Sequence, residues 1–222
     1  MTIAGFILAA VIGYLLGSIP SGLIVSRIQS KTDIRNYGSG RTGGTNVLRT
    51  LGRRAFIIVA AADLAKAALA VALAWLIVGD GHLDFGSYHA GRAAAQALAG
   101  ICAILGHIFP LFARFKGGRG VATFVGGLAV LSLVAALVSA GILIIFALIS
   151  GFVSLGSLLG VLGACVVMLL LIIGCDLPPE YMVYVIVGAL IIIIAHRDNI
   201  KRLLTGKERK FYRRTTSTSD PS

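Results

Sequence analysis

Charge is scarce in this chain of 222 residues: 13% are Asp, Glu, Lys or Arg, against 57% hydrophobic residues. With a mean hydropathy of +0.93, the composition excludes a soluble globular domain and a disordered chain and leaves an integral membrane protein. Acids are rarer still, nine against 20 Lys and Arg, so the net charge is +11. In a soluble chain that excess would point to nucleic acid. In a membrane chain it reads as loop charge under the positive-inside rule, with affinity for anionic lipid or an anionic substrate, and nucleic acid is not an expected partner. Cysteine is nearly missing: Cys102, Cys165 and Cys175 are scattered and form neither a disulfide framework nor a zinc spacing. No cluster of carboxylates, His or Cys stands among the basic loops, so no metal and no other cofactor is expected there.

The longest absence organises the topology. From Val121 to Ile173 run 53 residues without one charge or histidine. Before it, Ile3 to Val25 is long enough to cross ~30 Å of hydrocarbon at ~1.5 Å per residue. Arg27 to Arg54 carries seven Lys or Arg and one acid, Asp33, which marks the cytoplasmic side and puts the N-terminus outside. Ala55 to Val78 returns outward to Asp80 and Asp84, and Arg92 to Phe112 crosses inward again to Arg114, Lys116 and Arg119. Gly174 to Glu180, with two acids and no base, is outside; His196 onward, with eight Lys or Arg, is inside. The uncharged run therefore crosses an odd number of times, and three crossings of about 17 residues fit the span minimum. With Tyr181 to Ala195 as the last span, the expectation is an all-α membrane domain over residues 1–210 with seven transmembrane helices. Residues 211–222, basic and then rich in Ser and Thr, read as a disordered cytoplasmic tail. Within span two, Asp63 and Lys66 lie three apart on one helical face and are expected to pair and face protein, because an unpaired charge at mid-bilayer costs roughly 2.5–3.5 kcal/mol.

What is present, against that apolar background, is glycine and cation chemistry on one side. Gly38-Ser39-Gly40-Arg41-Thr42-Gly43-Gly44-Thr45-Asn46, followed by Arg49, has the backbone freedom and the donors of a phosphate cradle. It is not a Walker A loop, since no Gly-Lys-Ser/Thr closes it, and no strand precedes it as a dinucleotide fingerprint requires. Lys116-Gly117-Gly118-Arg119-Gly120 forms a second such loop on the same face. Phe152 to Ser157, with Ser154, is the expected inward turn of the uncharged run, and His196-Arg197-Asp198-Asn199 follows the last span. A transporter would place polar groups near the midplane, often at broken helices. Here they gather at the cytoplasmic interface, which suits an enzyme that joins a soluble anion to a lipid; a membrane transporter or sensor of phosphorylated small molecules is the alternative.

These motifs resemble the bacterial acyl-phosphate:glycerol-3-phosphate acyltransferase family. The residues that carry the resemblance are Ser18-Ile19-Pro20-Ser21-Gly22, the Gly38 loop with Arg49, Phe115-Lys116-Gly117-Gly118-Arg119-Gly120-Val121-Ala122-Thr123, and His196-Arg197-Asp198-Asn199-Ile200 with Arg202, Leu203 and Gly206. The resemblance runs from the first span to about Lys210. It implies a bacterial inner-membrane enzyme that makes lysophosphatidic acid, the first acylation of phospholipid biosynthesis, from glycerol-3-phosphate and fatty acyl-phosphate. Membrane lipids would surround it, and a soluble acyl-phosphate-producing enzyme would be its partner. By resemblance Ser39, Arg49, Lys116, Ser154 and His196 hold the glycerol-3-phosphate phosphate. Gly117, Gly118, Arg119, Gly120 and Asn199, with Thr45 and Asn46 nearby, meet the acyl-phosphate. Arg41, Gly44, Arg119 and Asp198 stand where the family usually has Asn, Ala, Lys and Glu.

The chemistry agrees. Acyl-phosphate is an activated mixed anhydride, so the site needs phosphate pockets, donors for a developing oxyanion and an acceptor for the hydroxyl proton rather than a protein nucleophile. His196 is a general base or a phosphate ligand; in the second case the substrate's own phosphate takes the proton. The His-x-x-x-x-Asp arrangement of acyl-CoA-dependent acyltransferases is absent: the residues five after His82, His89, His107 and His196 are Ser87, Ala94, Phe112 and Lys201. His107 is expected to support the second loop, and His82 and His89 to be solvated in the outer loop.

Overall fold

In a computed structural model, which describes residues 2–211, apolar helices pack through small residues around a core that also holds Phe124, Tyr184, Leu128 and Met168. Helix α1 (Thr2–Gly17) stops at Ser18-Ile19-Pro20 and resumes as α2 (Ser21–Ser30). Pro20 has no N–H to continue the ladder, and at the break the Ile19 carbonyl accepts the Ser21 N–H at 3.0 Å and keeps a lone pair for a side-chain donor. After a 3₁₀ turn, α3 (Gly44–Leu51) leads through Gly52 into α4 (Arg53–Val78). A two-stranded antiparallel hairpin, β1 (Leu83–Phe85) and β2 (Tyr88–Ala90), connects α4 to α5 (Arg92–Ile108). It is a small β element in a chain expected to be all helical.

The uncharged run divides into three helices, α6 (Val121–Leu131), α7 (Leu133–Ser150) and α8 (Val153–Cys175), and then come α9 (Glu180–Ala195) and α10 (Arg197–Leu204). The three are unequal, 11, 18 and 23 residues, rather than about 17 each. Ser132 sets the first break: it leaves helical geometry and its Oγ accepts the N–H of Ala135, starting α7. Among the described residues, five segments are able by length and composition to cross a membrane, the first of them Ile3–Ser30, or six if α9 and α10, bent by 62°, count as one. α6 falls short of that length. The Ser/Thr-rich tail lies outside the described residues, except Phe211, whose N–H donates to the Gly151 carbonyl.

Glycines set the helix spacing. A Cβ at Gly13 or Gly17 of α1 would overlap the backbone of Ala99 or Ala103 in α5, and one at Gly126 of α6 would overlap Leu64 in α4. Membrane helices gain little from hiding apolar area in an apolar solvent, so close backbone approach is what holds such pairs together. The largest buried cluster lies between α5, α6, α8 and α9, where the rings of Phe124 and Tyr184 stack at 5.4 Å and the Tyr184 hydroxyl donates to the Phe124 carbonyl. Large side chains such as Ile7, Ile57, Leu137, Ile149 and Ile173 point outward, as a lipid-facing surface requires.

The break in the first span organises a buried polar junction. Lys66 Nζ donates to the Ile19 carbonyl at 2.9 Å and pairs with Asp63 at 2.8 Å. Ser21 Oγ donates to the same Asp63 oxygen, and His107 Nδ1 lies 3.0 Å from Lys66 Nζ. The expected ion pair is thus present, facing protein, and it joins α1, α2, α4 and α5 at one point. The carbonyl of His107 accepts the N–H of Gly118, which hands this rigidity to the second glycine loop.

Candidate active site

One cavity of 280 Å³ collects most of the predicted polar residues at one end of the bundle. The N-terminal ends of α3, α6 and α8 open onto it, through Gly44 and Thr45, Val121 and Ala122, and Val153 and Ser154. His196 and Asn199 add the first turn of α10. Orphan N–H groups and the positive ends of helix dipoles therefore converge on one space. Arg41, Arg49 and Arg119 line it too, with two acids, Glu208 and the Asp63 already paired with Lys66. The excess of positive charge calls for an anion.

The first glycine loop is built as expected in backbone but with a different division of labour. Gly38 and Gly40 have φ of 61° and 71°, conformations that favour glycine. Asn46 is buried, and its side chain is spent on the loop itself. Its Oδ1 accepts the Ser39 N–H, and its Nδ2 reaches the carbonyls of Ile34, Tyr37 and Arg41 at 3.2, 3.0 and 2.9 Å. Asn46 therefore shapes the cradle and lines it together with Ser39, Arg41 and Thr45. Gly44 lies against the Phe56 ring, where a Cβ would sit at 3.2 Å, so alanine there would require the ring to shift slightly.

The two glycine loops touch. A Cβ on Gly43 would be 3.5 Å from the Cα of Gly118, and one on Gly118 would overlap the His107 ring. Gly118, Arg119 and Gly120 line the cavity; Gly117 is buried beneath them against the His107 carbonyl, and Lys116 is exposed outside the lining in the free protein. Arg119 Nε and Arg49 Nε are buried with no hydrogen-bond partner among the described residues. Burial, with Arg41 and other cations nearby, brings the Arg119 guanidinium down to about 10, still charged at neutral pH. Burial likewise lowers Arg49. Two half-buried, charged guanidinium groups, each with a buried Nε–H left unbonded, are costly unless an acceptor arrives.

His196 sits at the bend beyond the apolar run of α9. Its Nδ1 lies 2.8 Å from the Ile192 carbonyl; a carbonyl only accepts, so Nδ1 carries the proton and Nε2 keeps the lone pair. Burial first, and then the Arg119 and Arg41 charges, bring the imidazole down to about 4, against a partial opposing effect of the Ile192 bond and Glu208. His196 is thus neutral at pH 7. Asp198 is outside the cavity lining, exposed and 3.9 Å from Arg197.

Glu208 was not legible in the sequence. Its Oε1 accepts from Ser154 Oγ at 3.0 Å and from Asn199 Nδ2 at 2.7 Å, and its Oε2 from Arg202 Nε at 2.8 Å. The strap that carries it is fastened across the cavity: Arg49 donates to the Arg209 carbonyl, and Arg209 donates to the Gly38 carbonyl. Away from the charges, Phe56, Ala60, Leu64, Val125, Leu143 and Ile144 extend the cavity as an apolar arm between α4, α6 and α7.

The sequence profile of glycerol-3-phosphate acyltransferases matches residues 7–206. The chain belongs to the glycerol-3-phosphate acyltransferase family. It is 54% identical to glycerol-3-phosphate acyltransferase 3 of Dehalococcoides mccartyi, covering 95% of this chain and 97% of the relative. It is 39% identical to glycerol-3-phosphate acyltransferase of Bacillus subtilis, over 91% of this chain and 96% of the other. Among solved structures it resembles PlsY (YgiH), an integral membrane glycerol 3-phosphate acyltransferase. The glycerol 3-phosphate form superposes with a TM-score of 0.80 at 33% identity, covering 93% and 96% of the two chains. The lysophosphatidic acid form gives 0.77 at 32%, covering 92% and 94%. At that identity the membership extends to the mainly helical integral membrane fold, and the glycine loops and the His196 turn described above fall within the matched residues.

Proposed function

We propose that this chain transfers a fatty acyl group from acyl-phosphate to the 1-hydroxyl of glycerol-3-phosphate, releasing lysophosphatidic acid and phosphate. The observation that carries the reading is the cavity's composition: helix N-termini and under-bonded arginines at one end, an apolar arm at the other. That pairing suits a phosphate ester and a phosphate-activated acyl chain together. Seven crossings, with α6 as a short one, the N-terminus outside and the cavity on the cytoplasmic side, follow from the charge of the loops.

In this reading Arg49, Ser39, Ser154 and Arg119 hold the two phosphates. Lys116, on the rim beside Gly118, reaches a bound phosphate with its flexible four-carbon stem. The glycerol oxygen attacks the acyl carbonyl carbon, the bond from that carbon to the phosphate oxygen breaks, and the carbonyl oxygen carries negative charge meanwhile toward the N–H groups of the α6 end. Neutral His196 accepts a hydrogen bond from the hydroxyl at Nε2 and orients it. At about 4 it is a weak base, whereas phosphate leaving as a trianion is a strong one. The hydroxyl proton therefore ends on the departing phosphate, which leaves as hydrogen phosphate, and atoms and charge balance without a protein base. Asn199, fixed by Glu208, keeps the pocket wall in place, and Ser154 turns its proton from Glu208 to the phosphate when the substrate binds.

The test is a donor comparison on detergent-purified protein: labelled glycerol-3-phosphate with palmitoyl-phosphate, and separately with palmitoyl-CoA and palmitoyl carrier protein. Labelled lysophosphatidic acid from acyl-phosphate alone is expected. Product from the thioesters at an equal rate would overturn the donor assignment, and flux of glycerol-3-phosphate across sealed vesicles with no lipid product would overturn the enzyme reading.

A further inference from the structure

At the far end of α4 and α5 from the cavity, about 33 Å from Phe56 along α4 at 1.5 Å per residue, the hairpin gathers a second set of chemistry-bearing side chains. His82, Asp84 and His89 are all exposed there, and one donor atom from each lies within 4.8 Å of the others. The arrangement follows from the register. Asp84 pairs with His89 across the two strands, and His82, two residues before Asp84, shares its side of the pleat. On the opposite side, Leu83 pairs with Ala90, and both pack on the cluster of Phe6, Ala9, Ala74 and Ala95. The Tyr88 hydroxyl adds a bond to Glu180 Oε1 at 2.9 Å. One side of the hairpin is therefore fixed to the bundle, and the other presents two imidazoles and a carboxylate to solvent.

The three groups converge on a single oxygen. His89 Nδ1 and His82 Nε2 approach Asp84 Oδ1 at 2.5 and 3.4 Å, with the two rings edge to face at 5.4 Å between centroids. We propose that His82, Asp84 and His89 form a binding site for a transition-metal dication of the zinc class, a clip that closes the base of the hairpin. The donor set is right for such an ion: two neutral imidazoles and one carboxylate are common ligands of Zn²⁺, and a fourth position is left for water. The size also fits. Bonds of about 2.0–2.1 Å in a tetrahedron put donor atoms about 3.3 Å apart. The His82 contact is at that spacing already, and replacing the shared proton by an ion opens the His89 contact by under about 1 Å, a shift that exposed side chains absorb by rotation. The acyl transfer proposed above does not depend on this site, which touches none of the cavity residues.

The experiment uses the full chain in detergent, without a histidine tag, stripped with a chelator and titrated with Zn²⁺ by calorimetry, with metal counted in the desalted product. The wild-type chain is expected to bind one equivalent. The double variant His82→Ala/His89→Ala should lose it, and Asp84→Asn should weaken it at least tenfold, while acyltransferase activity and melting temperature of the metal-free variants match wild type. Cys175→Ser, which removes the one exposed thiol, should bind as wild type. Substitution with Co²⁺ should give a visible absorption band in wild type that the double variant lacks. Absence of saturable Zn²⁺ binding, or one equivalent retained by the double variant, would overturn the proposal.

Discussion

Replacement of Arg49 tests the anion site at the group whose geometry is most constrained. Arg49 is half-buried in α3, one guanidinium nitrogen is tied to the Arg209 carbonyl, and Nε is buried with no partner among the described residues. A phosphate reaching Nε and a second nitrogen would gain two charge-assisted hydrogen bonds, each about 1.5–3 kcal/mol. Their loss amounts to about 3–6 kcal/mol, and at about 1.36 kcal/mol per tenfold in rate the ceiling is near 10⁴. Single preorganised donors in acyl-transfer sites cost about 10²–10³, so Arg49→Ala is expected to lower kcat/KM by about 10²–10³. Arg49→Lys keeps the charge but not the planar fork and should recover only part of the loss. The assay is steady-state formation of lysophosphatidic acid by variants with unchanged melting temperature. That control is attainable because the one hydrogen bond visible in the free protein, to Arg209 at the surface, is worth about 1 kcal/mol. A lysine variant as active as wild type, or an alanine variant within threefold of it, would refute the reasoning.

Two other expectations follow from the site's construction. His196 is lowered from 6.5 to about 4, so between those pH values the unfolded chain binds the proton that the folded chain refuses. Its contribution to stability is full above about 6.5 and is lost as pH falls toward about 4. Unfolding in detergent from pH 7 to 4 should show a shallower acid loss in His196→Gln than in wild type, and equal slopes would contradict the burial argument. Gly118→Ala places a methyl into the His107 ring, so the second loop must move and carry Arg119 with it; turnover should fall by about 10²-fold, the scale of a 1 Å misplacement. Gly174→Ala, with open space around it, should stay close to wild type in the same assay.

Much of this site could be read in the sequence because the polar residues stand out against so few others. Four segments that are far apart in the chain carry the glycine and cation motifs, and the fold brings Gly43 against Gly118, with Ser154, His196 and Asn199 around the same cavity. The buried Asp63–Lys66 pair was legible for the same reason: a charge inside an apolar span must find a partner. What escaped was set by tertiary geometry. Glu208 is one acid in a basic tail, with no period or motif to distinguish it, and only the strap's path shows that it bonds Ser154, Asn199 and Arg202. Asn46 was legible as a polar residue of the cradle and it lines the cavity, but its second task of closing the loop with its amide was not. The unequal division of the uncharged run depended on Ser132, one weak polar residue among apolar ones, and the hairpin on strands of three residues each, too short for alternation to register.

The central claim is that the arginine-lined end of the cavity is where phosphate esters bind. It is tested most directly by a structure of this chain with glycerol-3-phosphate and a non-transferable palmitoyl-phosphate analogue. The account predicts phosphate oxygens within hydrogen-bond distance of Arg49 Nε and Arg119 Nε, with the acyl chain along Phe56, Leu64 and Leu143. Phosphates bound elsewhere on the basic face, with both guanidinium groups left as they are in the free protein, would contradict it.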